Sequence, residues 1–410
     1  MTSEEYITVT AIQELPRLPF ERDAQCPATS IAPMFHRLRA AHPVARVGTP
    51  AGDEGWLITR YKEIKQLFND PRLGRSHPDP DSAARIANAA VISGPLGRPE
   101  DEIANRSRMR RLFAPSFSAR RVEKLRLDVE QIVDDLFTKM AAGPNPADFH
   151  EALSFPLPVL VICQLLGVPG EDREEFRLYS NGATNLYNRA ESQAAWDRLT
   201  NYMHKLIAVK RADPGQDVFS DLIEAEEREN LSEDEIAGLG AALLFAGHET
   251  TVTRLDIGTL LLLTNPDQRH KLQQDPQGMI KNTVEEILRA AAPSTQDVLP
   301  RYAHQDIEVG GVTIPAGDLV LLPFTAANRD PQMFDDPDVF DISRDIPQHL
   351  AFGHGPRFCI GASLARVELQ IVFSTLFERF PDLQLAACPN DLEFRDDTLT
   401  GGLAHLPVTW

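Results

Sequence analysis

The sequence predicts an α+β fold, mainly helical, formed as a single domain over residues 1–410. Three observations predict it. Apolar residues recur at spacings of three and four through residues 120–141, 151–166 and 195–211, the period of helices with one buried face. A single apolar-rich stretch from Ser232 to Asn265-Pro266 has room for a helix of about 33 residues, ~50 Å long. Strand patterns are short and few, and neither an internal repeat nor a Gly/Ser-rich linker divides the chain.

In chain order, the first ~20 residues read as peripheral. A helical stretch near residues 31–41 precedes a β-like piece, Gly55-Trp-Leu-Ile-Thr. Residues 76–103 are rich in Pro, Asp, Ala and Gly and read as a long irregular connection, a length often reserved for function. Helices dominate from 107 onward. Ser232 and Glu235 form an S-x-x-E capping box, and the helix they open is too apolar around its circumference for the surface. A further helix follows Pro276 and stops before Pro293. Asp306-Ile-Glu-Val-Gly-Gly-Val-Thr-Ile reads as a hairpin turning at Gly310-Gly311. A helix over 362–379 and short strands towards Trp410 end the chain.

Composition narrows the class. The chain has 410 residues, 42% hydrophobic, with no apolar run long enough to span a membrane and no secretory pattern at Met1-Thr-Ser-Glu-Glu, so a soluble cytoplasmic protein is expected. Cys26, Cys163, Cys359 and Cys388 are too scattered for a disulfide framework or a zinc ribbon. A formal charge of −19 opposes non-specific nucleic-acid binding. One segment runs against it: Arg106 to Arg126 holds eight basic residues and one acid, Glu123. It reads either as a solvated helical face or as a dock for acidic groups.

Three segments carry chemistry. In Phe352-Gly-His-Gly-Pro-Arg-Phe-Cys359-Ile-Gly361, glycines flank a lone cysteine and let backbone approach a large flat group. The helix that follows aims N–H groups at the sulfur, which is expected to favour thiolate. Ala246-Gly247-His248-Glu249-Thr250-Thr251 interrupts the long apolar helix with residues unfavourable at its centre, a local conflict of the kind that marks function. His248-Glu249 is not half of an H-E-x-x-H zinc motif, because position 252 is valine. Glu286 and Arg289, three apart, share a helical face and suit an ion pair.

Taken in this order, the segments resemble the cytochrome P450 family, whose F-G-x-G-x-x-x-C-x-G loop is matched at every fixed position; the resemblance runs from about residue 30 to 405. It implies a haem-thiolate fold with haem b held between the long helix and the cysteine loop. Cys359 would be the axial ligand of the iron, with Phe352, Gly353, Gly361 and Ala246 against the cofactor. Arg110, Arg301 and Arg357 would meet the haem carboxylates, joined by Arg106, which stands where the family commonly has histidine. Thr250 and Glu249 would deliver protons, and Glu286–Arg289 would be structural. The family usually adds an arginine to that pair where this chain has Val339, leaving Arg344 or Arg329 as replacements.

Substrate contacts are expected by the same resemblance at Val91, Ile92, Leu186, Ala242, Phe245, Asp297 and Thr400. The implied activity is insertion of one atom of O2 into a small organic substrate, by hydroxylation or epoxidation of a natural product of secondary metabolism. Electrons would pass from NAD(P)H through a ferredoxin reductase and a ferredoxin docked on Arg108, Arg111 and Arg121, with the enzyme monomeric. Two alternatives stay open: a peroxide-driven or rearranging haem-thiolate enzyme, and a non-catalytic haem module. The intact Glu249-Thr250 pair favours the monooxygenase.

Overall fold

The computed structural model describes residues 15–25, 27–88, 94–172, 188–292, 299–345, 348–396, 398 and 400–410. Along them run helices α1 (Pro33–Ala41), α2 (Tyr61–Asn69), α3 (Pro99–Phe113), α4 (Ala119–Ala142), α5 (Pro156–Leu166), α6 (Arg189–Ala212), α7 (Val218–Glu229), α8 (Glu233–Thr264), α9 (Pro266–Gln274), α10 (Pro276–Ala290), α11 (Phe324–Ala327) and α12 (Ala362–Arg379). The strands are β1 (Val44–Gly48), β2 (Glu54–Ile58), β3 (Leu73–Gly74), β4 (Ala147–Asp148), β5 (Pro300–Ala303), β6 (Ile307–Val309), β7 (Val312–Ile314), β8 (Leu319–Leu321), β9 (Gln384–Leu385) and β10 (Pro407–Thr409). They make a five-stranded sheet in the order β1-β2-β8-β5-β3, a three-stranded sheet β4-β10-β9 and the hairpin β6-β7.

The long helix forms as its ends require. The Ser232 side chain accepts from the Glu235 N–H at 3.1 Å while the Glu235 carboxylate accepts from the Ser232 N–H at 2.9 Å, closing the capping box. Pro266 opens the next helix, so α8 is 32 residues, about 48 Å by its rise. Every residue from Thr251 to Leu262 is buried, which makes α8 the axis of the core. Gly258 lets α10 and α12 close on it: a Cβ there would stand 2.7 Å from the Phe373 ring and 2.9 Å from Ile287. The hairpin turns on Gly310 and Gly311, both at positive φ (56° and 79°), where a glycine pair adopts the required backbone without strain.

Two differences from the sequence reading matter for the site. Helix α3 starts at Pro99, inside the segment expected to be irregular, and buries only Leu112 and Phe113. With so small an apolar face it carries no hydrophobic period, although Pro at its start and Glu100, Asp101 and Glu102 in its first turn are helix-opening signals. Helix α2, by contrast, has a legible face in Tyr61, Ile64, Leu67 and Phe68 that the sequence reading passed over. No helix among the described residues is long and apolar enough to cross a membrane.

Candidate functional site

Between the ends of α8, where most residues are buried or half-buried, Ala242, Ala246 and Thr250 are exposed. Spaced four apart, they form one strip along a single face, so the helix borders open space there. Cys359, at the end of the loop that leads into α12, keeps surface open to solvent although its sulfur is largely surrounded by protein. The loop is shaped by Gly353 (φ 71°) and Gly355 (φ 62°), and the Cys359 N–H donates to the Phe352 carbonyl at 2.8 Å. Arg110 reaches across from α3 to the carbonyls of Pro356 (3.1 Å) and Phe358. In this arrangement it braces the cysteine loop, and it is the residue expected to meet the cofactor's carboxylates.

The sulfur's environment works against the helix terminus. Burial pushes the Cys359 thiol up, and although the N–H groups of Gly361 and Ala362 and the charges of Arg110 and Arg366 pull it down, the net shift is upward. The helix terminus alone does not ionise this cysteine. A metal ion held by this sulfur would ionise the thiol. Beside the sulfur, the Arg366 guanidinium lies 4.6 Å over the Phe352 ring.

Glu285 ties both flanks of the loop together, accepting from Arg366 at 2.6 and 2.8 Å and bonding His349 at 3.0 Å. Burial disfavours its ionisation, but these hydrogen bonds outweigh burial and hold its carboxyl down to about 2. Because that value lies below the ordinary 4.5, the contribution to stability is complete above pH 4.5 and is lost as pH falls towards 2. Glu285→Gln is expected to flatten the stability–pH curve in that window and leave its slope above pH 5 unchanged, as denaturant titrations at stepped pH would read.

A cluster of guanidiniums bears on the cofactor. Arg75, Arg106, Arg301 and Arg357 converge on one carboxylate, Glu102. Nε and one Nη of Arg75, Nη1 of Arg106 and Nε of Arg301 are buried with no hydrogen-bond partner among the described residues. Burial, and then repulsion from Arg75 and Arg357, drives the Arg301 pKa well below its ordinary value; burial pulls Arg75 down to about 10. Buried, mutually repelling cations with unsatisfied N–H groups call for further anionic oxygens. The two carboxylates of a large flat ligand would meet that demand. The sequence reading missed Arg75 and Glu102, since neither belongs to a motif.

Glu249 is buried and is held by Arg395 Nη2 on Oε1 (3.1 Å) and Thr400 Oγ1 on Oε2 (3.1 Å). Thr400, expected against substrate, contacts the acid here. Thr250 turns its hydroxyl back to the Ala246 carbonyl at 2.8 Å. Phe245 packs towards the Ile86, Ala87 and Tyr302 cluster, beside the strip rather than on it. Val91, Ile92, Leu186 and Asp297 lie outside the described residues.

The Glu286–Arg289 pair is fully buried, bonding at 2.7 and 2.8 Å. Its third member is Arg344, whose Nε is 3.5 Å from Glu286; Val339 contributes its carbonyl, which accepts from both arginines. Arg329 serves elsewhere, on Asp338 and the Ala290 carbonyl. The basic segment is largely neutralised from within: Arg108 pairs with Glu235 (2.9 Å), Arg111 with Glu229 (3.4 Å) and Arg121 with Asp221 (3.0 Å). These three arginines fasten α3 and α4 to α7 and α8, which weakens the expectation that they dock a partner.

The family model for cytochrome P450 matches residues 183–393. Pentalenolactone synthase of Streptomyces exfoliatus is 44% identical over 97% of this chain and 100% of that protein. The chain belongs to the cytochrome P450 family. Its similarity extends to the P450 monooxygenase PikC of Streptomyces venezuelae, 40% identical over 92% of this chain and 90% of that one. Among solved structures, the P450 MycG in complex with mycinamicin V superposes with a TM-score of 0.86 at 36% identity, and the pimaricin epoxidase PimD with 0.83 at 40%; each match covers 97% of this chain and 100% of the other. This P450 is accordingly a haem-dependent monooxygenase that uses dioxygen, with the family's helix-rich fold and small sheets.

Proposed function

We propose that this P450 hydroxylates or epoxidises a natural product of secondary metabolism, with electrons delivered from NAD(P)H by a ferredoxin and its reductase, and that residues 1–410 act as one domain. The observation that carries the reading is the acid–alcohol step on α8: Thr250 opens onto the exposed strip while Glu249, its neighbour, is held behind it by Arg395 and Thr400. The named products of the relatives, pentalenolactone and pimaricin among them, support a substrate of that general kind.

Cys359 is assigned as the iron ligand, and Arg75, Arg106, Arg301 and Arg357 as the groups that meet the haem carboxylates. Arg110 positions the ligand loop through its carbonyls. When bound, haem supplies the redox centre that activates dioxygen with two electrons. The protein orients and protonates. Thr250 presents a hydroxyl on the open strip, Glu249 supplies the acid behind it, and Ala242 and Ala246 leave room for the ligand by having almost no side chain. A carboxylate fixed by such partners moves a proton only once one of them yields, so Arg395 and Thr400 control when Glu249 acts.

The test is a substrate screen by spin-state change on the haem-loaded protein, over macrolide and terpenoid panels, followed by reconstitution with ferredoxin, reductase and NAD(P)H. Oxygenated product confirms the reading; substrates that bind without product under these conditions, yet react with added peroxide, would replace it with a peroxide-driven one. On the substrate so found, Thr250→Ala is expected to keep consuming NAD(P)H while product per NAD(P)H falls several-fold and hydrogen peroxide accumulates. An unchanged ratio removes Thr250 from its role.

A further inference from the structure

We propose that Glu102 is a permanent counter-ion built into the arginine cluster, a positioning residue that holds the cofactor's carboxylate site together and lowers the reduction potential of the haem. The inference rests on the haem reading above and extends it to an acid where the ligand itself brings two.

An acid among groups that await carboxylates is unexpected, and the fold goes to some length to seat it. Glu102 is in the first turn of α3, where a carboxylate ordinarily faces water, yet its side chain is only 11% exposed. Its Oε2 accepts the N–H groups of Arg75 (2.8 Å) and Ser76 (2.9 Å) and the Ser76 hydroxyl. Its Oε1 faces Arg357 at 3.4 Å and Arg106 at 3.8 Å, and His304 stands 3.7 Å from Oε2. Gly74 is shaped to this carboxylate: a Cβ there would fall 2.2 Å from Oε2 and 2.3 Å from the His304 ring. Hydrogen bonds from Ser76 and Arg75 and the charge of Arg357 hold its carboxyl below the usual range in spite of burial, so the group is an anion.

Charge gives the anion its role. Arg75, Arg106, Arg301 and Arg357 contribute four positive charges, and two ligand carboxylates leave two of them unmatched; Glu102 removes one more. It also attracts Arg75, Arg301 and Arg357 together, offsetting the repulsion that otherwise drives these guanidiniums apart. Reduction adds an electron to the haem, and a fixed negative charge near its carboxylates disfavours that step. Were Glu102 only a structural acceptor, Glu102→Gln would cost stability by turning an amide N–H against donors but would leave the potential of a haem that stays bound unmoved.

The experiment is a spectroelectrochemical titration of the haem-loaded, substrate-free protein, with the reduced carbon monoxide spectrum of each variant recorded alongside. Glu102→Gln is expected to shift the midpoint potential to more positive values, Glu102→Asp to remain close to the parent, and Arg106→Gln to shift the potential to more negative values. An unmoved Glu102→Gln, or a Glu102→Asp displaced as far as Glu102→Gln, overturns the proposal. Should Glu102→Gln fail to retain haem, Arg106→Gln decides: no shift, or a positive one, overturns it. A parent with the red-shifted carbon monoxide band but unmoved potentials defeats this inference alone, whereas a parent without that band defeats the haem reading and this inference together.

Discussion

Cys359→Ala is expected to abolish the strongly red-shifted Soret band of the reduced, carbon-monoxide-treated protein while leaving its helical circular dichroism nearly unchanged. Both halves follow from where the side chain lies. The side chain keeps open surface and is not a member of the apolar core, so its removal leaves no hole among those packed side chains. The loop keeps its shape without the sulfur, because the backbone bond from residue 359 to Phe352 and the Arg110 bonds to the Pro356 and Phe358 carbonyls do not involve it. What is lost is the thiolate, and no other cysteine belongs to this loop. His354, whose Nδ1 is buried with no hydrogen-bond partner among the described residues, is the nearest substitute donor in sequence. An unshifted band in the parent would point to such a histidine and refute Cys359 as ligand.

Arg289→Ala is expected to cost about 3–5 kcal/mol of stability, the usual consequence of leaving a buried charge without its partner. Arg289 donates twice to Glu286 and also to the carbonyls of Asn328, Pro337 and Val339, so its loss takes two bonds from a buried carboxylate and the Arg289 bond from the buried Asn328 carbonyl, while Pro337 and Val339 keep bonds from Arg329 and Arg344. Arg344 remains 3.5 Å from Glu286, but it is already tied to the 335–339 segment and cannot replace both bonds. Denaturant unfolding of the haem-loaded proteins reads the loss. The double variant Glu286→Gln with Arg289→Met is expected to fall short of the summed single costs, since it removes both charges at once. Additive costs would show that the two residues act separately, against the geometry.

The sequence by itself determined whatever depends on neighbours within a few residues. The capping box and Asn265-Pro266 set both ends of α8, the glycine pair set the hairpin, and the spacing around Cys359 marked the ligand loop, because caps, turns and motifs are local. Glu286 and Arg289 were legible for the same reason, being one turn apart. Arg344 as their third partner was not, and neither were Arg75 with Glu102, Arg395 with Glu249, nor the bracing role of Arg110. Each of those contacts joins segments tens to hundreds of residues apart, and a charged side chain's partner is set by what burial brings beside it. The desolvation that raises the Cys359 thiol was likewise not legible: a helix start is visible in sequence, but burial of the sulfur arises only when the loop is packed.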